Sequence, residues 1–324
     1  MSFYRELFGV LVISHFACTA GVVETQRIAF EGAEAFRILS PMSNSAHEAT
    51  HLNRWGELQT NVDLQVEWTG LDRVEVLFEG APLATLLSSN VQSEISLPAL
   101  GTIELEFVGY TNDVEIISQS RTLFINEPSN LSCTELLDLY NLKWEEAASS
   151  PGIEAPISLD LPLNGVDFRF VDVDTNRTRL YLDCRLALAL ARANPIFLKN
   201  NISTVVDIGI YNYRCIGGEG FPPDCPQGIS AHANAQAIDI YALESNDGQT
   251  FSIEDDWVID EENEETCEAE TSSDADTLLH DVFCQQDSQN IWNTILTPNF
   301  NSAHRNHIHL DLKEGNDFTR SKDD

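Results

Sequence analysis

Val62-Asp63-Leu64-Gln65-Val66-Glu67-Trp68 alternates apolar and polar side chains without a break. Successive side chains of an extended chain point to opposite faces, so the stretch reads as a β-strand with one buried and one wet face. Ile103, Leu105 and Phe107 repeat the rhythm, and Val74–Phe78, Val114–Ser118 and Thr122–Ile125 are further short apolar runs. Thr69-Gly70, Glu79-Gly80 and Thr111-Asn112-Asp113 punctuate them as turns. Short strands at roughly 8–12-residue spacing predict an all-β sandwich over residues 25–128. Glu127-Pro128-Ser129-Asn130 reads as a linker.

Beyond the linker the rhythm changes. Leu182 to Lys199 places apolar residues every three to four positions and predicts a helix interrupted near Pro195. Thr204–Arg214 and Ala237–Tyr241 read as strands, and His307-Ile308-His309-Leu310-Asp311-Leu312 as the last one. Residues 254–276 hold 12 acidic residues and no basic ones, which predicts a solvated insertion. The second domain, 132–324, is therefore expected to be α+β.

The chain has 324 residues, of which 18 are Lys or Arg and 52 Asp or Glu, a net charge of −34. Such acidity argues against a nucleic-acid partner, because phosphates are repelled. No apolar run of about 18 residues occurs, so no transmembrane helix is expected. Residues 1–20 read as an export signal: Arg5 precedes the apolar run Leu7–Ile13, and small residues surround Ala17-Cys18-Thr19-Ala20. Cleavage after Ala20 and a lipid anchor on Cys18 are both compatible with this stretch. An exported chain would lie in the periplasm, on the outer membrane as a lipoprotein, or outside the cell. Cys133, Cys184, Cys215, Cys225, Cys267 and Cys284 make an even set, as expected of an oxidised domain. Fifteen pairings are open, with Cys215–Cys225 the simplest local pair.

Four histidines cluster in two short segments, Ser230-Ala231-His232 through Asp239 and His304-Arg305-Asn306-His307-Ile308-His309. On a strand, His307, His309 and Asp311 share one face, while Ile308, Leu310 and Leu312 point into a core. Two imidazoles there, with a His and an Asp from the other segment, are the donors that zinc accepts; three protein ligands and one open position is the catalytic arrangement.

These residues resemble a known family. Asp183-Cys184-Arg185-Leu186-Ala187-Leu188-Ala189-Leu190-Ala191-Arg192, Tyr211-Asn212-Tyr213-Arg214-Cys215, Ser-x-His-x6-Asp, Asp256-Trp257 and His307-Ile308-His309-Leu310-Asp311-Leu312 occur in the order of the bacterial extensin-like C-terminal domain, over roughly 132–312. That domain is similar to the LAS group of zinc peptidases, the lysostaphin and D-Ala-D-Ala peptidases that act on peptidoglycan. The first domain resembles the bacterial immunoglobulin-like modules that precede secreted enzymes. The resemblance implies one zinc ion held by His232, Asp239 and His309, and hydrolysis of peptidoglycan stem or cross-bridge peptides. It further implies His307 as general base or oxyanion stabiliser, Arg214 on the substrate carboxylate, Ser230 as a substrate hydrogen-bond partner, and Asp311 orienting an imidazole. Some relatives have a Glu base three residues before the last histidine; Asn306 stands there, so the base role falls on His307 or His304. Ala235 replaces a frequent Gly, an exchange that adds one methyl. The alternative reading is an inactive, zinc-containing protein that binds cell-wall peptides.

His47-Glu48-Ala49-Thr50-His51 matches HExxH, a zinc motif that requires a helix. Its flanks carry no sustained apolar helical face, so it is expected to be incidental.

Overall fold

The computed structural model describes residues 36–259, 266–315 and 318–320. The export signal of 1–20, with Cys18, lies outside the described residues. The described chain divides into two compact units, 36–50 with 59–128, and 51–58 with 129 onward.

The first unit is built from β1 (Phe36–Ser40), β2 (Ser45–Glu48), β4 (Leu58–Trp68), β5 (Arg73–Phe78), β6 (Ala81–Leu86), β7 (Gln92–Pro98), β8 (Gly101–Thr111) and β9 (Val114–Asn126), while β3 (His51–Leu52) belongs to the 51–58 segment of the second. Two sheets form, one with β1 and β7 both paired to β4, the other ordered β2-β9-β8-β5-β6. Val62, Leu64, Val66 and Trp68 all turn inward from β4 and meet Val74, Val76, Leu105, Phe107, Leu123 and Ile125. Burying each such side chain contributes about 1.5–3 kcal/mol, and this period-2 pattern fixes which face of each strand is inside. Glu79-Gly80 and Asn112-Asp113 take positive φ and close the β5–β6 and β8–β9 hairpins. The two runs read separately at 114–118 and 122–125 are one strand, β9, and Val114 at its start is exposed. His47 and His51 lie on β2 and β3, not one turn apart on a helix, so HExxH has no helical face here.

The second unit contains α1 (Cys133–Leu139), β10 (Trp144–Glu146), β11 (Pro156–Asp160), β12 (Asp167–Phe170), β13 (Arg179–Asp183), α2 (Cys184–Lys199), β14 (Ile202–Gly209), β15 (Ala237–Ser245), β16 (Thr250–Ser252), α3 (Ile253–Asp256), α4 (Asp274–Ser288), β17 (Thr294–Leu296), β18 (Ile308–Asp311) and β19 (Phe318–Arg320). A small sheet runs β10-β11-β13; the larger runs β12-β14-β15-β18-β17-β19 with β16 on β15. Ser132 caps α1 through a reciprocal bond pair with Glu135, and Asp183 caps α2 by accepting from the Arg185 amide.

Three expectations are corrected. The helix expected to break at Pro195 continues to Lys199. Pro195 sits in the last turns, where one missing donor is offset by burial of Ile196 and Phe197 beside it. The strand expected over 204–214 ends at Gly209, and Tyr211–Arg214 form a loop. The acidic stretch is no mere solvated insertion: Trp257, Thr266 and Asp276 are buried, and residues 274–276 open α4. The Asp276 carboxylate accepts from the amides of Val258 (3.0 Å) and Ser272 (2.9 Å), so one of the acids stitches the stretch together. Residues 260–265 of this stretch lie outside the described residues.

All six cysteines of the described residues pair, as Cys133–Cys184, Cys215–Cys225 and Cys267–Cys284. The first links the N-termini of α1 and α2, and closing its 51-residue separation is worth about 4 kcal/mol on the chain-entropy account. Three disulfides fit a compartment outside the reducing cytoplasm. No helix among the described residues is long and apolar enough to cross a membrane.

Candidate functional site

Strand pairing builds half of the site. β15 and β18 run antiparallel with Asp239 directly opposite His309. Residues opposed in this way have Cβ atoms about 4.5–5.5 Å apart, so their side chains meet on one face of the sheet. Ile308 and Leu310 fill the other face and are fully buried. His232 comes from a 3-10 turn, Ala231–Asn234, just before β15. Ser230 caps that turn, its buried hydroxyl accepting from the His232 amide at 3.3 Å.

The three side chains converge. His232 Nε2 lies 3.2 Å from both Asp239 Oδ1 and His309 Nδ1, and His309 Nδ1 is 2.7 Å from Asp239 Oδ1. They form the His/Asp group of the described residues with metal-ligand spacing. Zinc bonds of about 2.0–2.1 Å in a tetrahedron place donors about 3.3 Å apart, so the set fits with small adjustments. The outward nitrogens are spoken for. His232 Nδ1 donates to the Ile210 carbonyl (2.8 Å) and His309 Nε2 to Asp311 Oδ2 (3.0 Å). A carbonyl and a carboxylate only accept, so each outer nitrogen carries its proton, and the inner nitrogen of each ring is the one that would offer a lone pair to a cation.

Hydrogen bonds outweigh burial within the cluster. Burial by itself raises the Asp239 carboxyl, but hydrogen bonds from His232 and His309 outweigh it and hold the group well below the usual carboxylate range. Burial likewise lowers His309, yet Asp239 and Asp311 on its two nitrogens lift it to about 9. Asp311 is shifted down, burial opposing and the His309 bond prevailing.

His307 and His304 flank this centre. His307 Nε2 is 3.7 Å from Asp239 Oδ1, while its Nδ1 donates to Asn306 Oδ1 at 2.8 Å. His304 Nδ1 donates to Asn301 Oδ1 (2.8 Å), which also accepts from the Ala303 amide. The two rings are 5.1 Å apart. Burial holds both below the ordinary imidazole value, His304 at about 4, so both are neutral at pH 7 and carry an unprotonated Nε2. Arg214 is exposed and close enough for its charge to help depress His307. Its guanidinium has no hydrogen bond or ion pair among the described residues.

His232, Asp239, His309, His307, His304, Asp311, Ser230 and Arg214 thus sit in or beside one site. Ser230 differs in manner, since its acceptor is committed to the turn. Ala235 takes φ 51° and ψ 37°, the left-handed region. The cost of replacing Gly there is one of backbone conformation, not of a methyl's volume. Asn306, Asn301 and the Ile210 carbonyl, which fix three imidazole tautomers, were not foreseen. Asn306 and Asn301 adjoin the histidine segment and are visible there; the Ile210 contact spans 22 residues and leaves no local trace. One strand over, fully buried Asp207 on β14 pairs with Arg177, whose ring-facing side stacks on Phe170 at 4.1 Å. Burial pushes Asp207 up to about 7, only partly offset by Arg177.

Residues 172–320 match the family Extensin-like protein C-terminus. This extensin-like region contains all the residues of the site. No curated protein matches the chain significantly. Among solved structures, the fibronectin(III)-like modules of Clostridium thermocellum CbhA are 15% identical, over 28% of this chain and 96% of that one, at a TM-score of 0.24. The Bacteroides ovatus mixed-linkage glucan utilization locus protein SGBP-B, in complex with a mixed-linkage heptasaccharide, is 13% identical over 68% of this chain. Its TM-score is 0.21, and this chain spans 46% of its length.

Proposed function

We propose that the extensin-like region is an exported, LAS-type zinc peptidase that hydrolyses an amide bond in peptidoglycan stem or cross-bridge peptides. The observation that carries this reading is the convergence of His232 Nε2, Asp239 Oδ1 and His309 Nδ1, with both imidazoles tied by their outer nitrogens. A cation held by these three would supply Lewis acidity, polarising a carbonyl and acidifying a water at neutral pH. Three ligands leave a position open, unlike a closed structural site.

The remaining residues take roles suited to amide hydrolysis. His307, neutral and with a free Nε2 toward Asp239, accepts the proton of the attacking water and returns it to the leaving amine. Asn306 fixes its tautomer rather than acting as base. His304 stands behind it as the other neutral imidazole. Arg214 offers an unpaired fork for a substrate carboxylate. Asp311 holds His309 from outside the ligand set.

The test is digestion of purified sacculi and D-Ala-terminated peptides, read by mass spectrometry. Wild type should release stem-peptide fragments, and His307→Ala should keep its zinc while losing activity by about 10²–10⁴-fold. The Asn at 306, where some relatives keep a Glu base, favours the alternative of an inactive zinc-containing cell-wall binder. Zinc-loaded wild type that releases nothing while retaining sacculi would establish that alternative.

A further inference from the structure

His232 is gripped at both ends by one short segment. The Ile210 carbonyl takes its Nδ1 proton (2.8 Å), and the Asn212 amide donates to its carbonyl (3.1 Å). Between these two contacts stands Tyr211. Its hydroxyl donates to the Pro151 carbonyl at 2.9 Å, and its ring meets Tyr181 edge-on at 6.2 Å. Tyr181 in turn donates to the Ala148 carbonyl at 2.7 Å, so two phenols hold the same loop.

That loop returns to the metal turn. Gly152, next after Pro151, takes φ +83°, and a Cβ built on it would lie 2.3 Å from the Ala233 carbonyl oxygen. Real Cβ atoms do not approach an oxygen so closely, so a side chain here must push the loop or the turn aside. Farther on, Ala155 donates to Asp183 Oδ2 (3.0 Å) and accepts from the Cys184 amide (2.9 Å). The Asp183 backbone amide then donates to the carbonyl of Ala235, the residue that ends the turn (3.2 Å). The contacts close a circuit around His232: Ile210–Asn212, Tyr211, Pro151-Gly152, Ala233 and back. Pro151 and Gly152 are themselves exposed, so the circuit is not a by-product of core packing.

We infer that Gly152 and Tyr211 are positioning residues for the metal, clamping the His232 turn between the 148–155 loop and the 210–212 segment. The inference rests on the zinc reading of the site. Removing a partner that orients a metal ligand typically lowers affinity 10–100-fold, and Gly152→Ala is expected to weaken zinc binding by about that factor. Tyr211→Phe removes one hydrogen bond and keeps the ring, for a loss of about three- to tenfold.

The experiment is competition for zinc against a chromophoric chelator, on the full chain, with unfolding of the zinc-free protein measured in parallel. A merely structural role would lower zinc-free stability and leave the affinity of the folded protein unchanged. Weaker binding by either folded variant supports the clamp; should Gly152→Ala fail to fold, Tyr211→Phe decides alone. Wild type that binds zinc, with every folded variant within about twofold of it, overturns the clamp and leaves the zinc reading standing. Wild type that binds no zinc overturns both.

Discussion

Asp239 and His309 are direct cross-strand partners, and their Oδ1 and Nδ1 atoms stand 2.7 Å apart. The ladder between β15 and β18 therefore sets the spacing of this pair. His309→Ala and Asp239→Ala should each abolish stoichiometric zinc in the purified protein. Asp311→Asn should keep one zinc per chain and weaken it about 10–100-fold, because Asp311 touches the imidazole and not the ion. Stoichiometric zinc in His309→Ala would sink the ligand assignment.

Ala235 occupies the left-handed region at the end of the His232 turn, where an L side chain costs about 1–2 kcal/mol and Gly costs little. Ala235→Gly should thus stabilise the protein by about 1 kcal/mol after the entropy that Gly adds to the unfolded chain. A rise of about 2–4 °C in Tm is expected, read by calorimetry with zinc affinity unchanged. A fall in Tm would show that the buried methyl contributes more than the strain.

The sandwich was legible because β4, β5 and β8 each bury one face, and an alternation of Val, Leu and Trp records that directly. The convergence of His232, Asp239 and His309 was legible for a related reason: His309 sits on an alternating strand, and His232 and Asp239 lie within eight residues of one another. What stayed hidden depends on contacts distant in sequence. Nothing local in Tyr211 or Gly152 announces a shared turn, and the acidity of 254–276 masks the burial of Trp257 and Asp276. Pro195 misled because its helix-breaking tendency is local while the burial of Ile196 and Phe197 is tertiary.

Half-buried Arg177 pairs with fully buried Asp207 on β14, beside the site, and each keeps an unpartnered polar atom, Nε and Oδ1. Arg177→Met leaves the carboxyl, already pushed up to about 7, to take a proton and stay buried without its partner, and should cost about 1–3 kcal/mol. Replacing both, as Arg177→Met with Asp207→Leu, should recover most of that loss, because the desolvation penalty goes with the charges. Denaturant unfolding of the two singles and the double measures the coupling. Additive losses would mean that the two residues act independently.

His280 stacks on Trp257 with ring centroids 4.0 Å apart, and its Nδ1 donates to the Thr266 carbonyl (3.1 Å). Burial holds its pKa below the ordinary value, outweighing Asp276, the Thr266 bond and Asp281. In the unfolded chain the imidazole titrates near 6.5, so as the pH falls through about 6.5 the unfolded state takes a proton that the native state refuses. Stability from this group is therefore complete above about pH 6.5 and declines below it until the lower native value is passed. His280→Phe keeps an aromatic ring against Trp257 and removes the titration. His304 and His307 are also held low, but their contribution is common to both proteins and cancels in the difference. The gap in unfolding free energy between wild type and His280→Phe should consequently shift in favour of the variant between pH 7.5 and pH 5. Parallel pH profiles for the two proteins would show that the buried imidazole does not couple the acidic stretch to protonation.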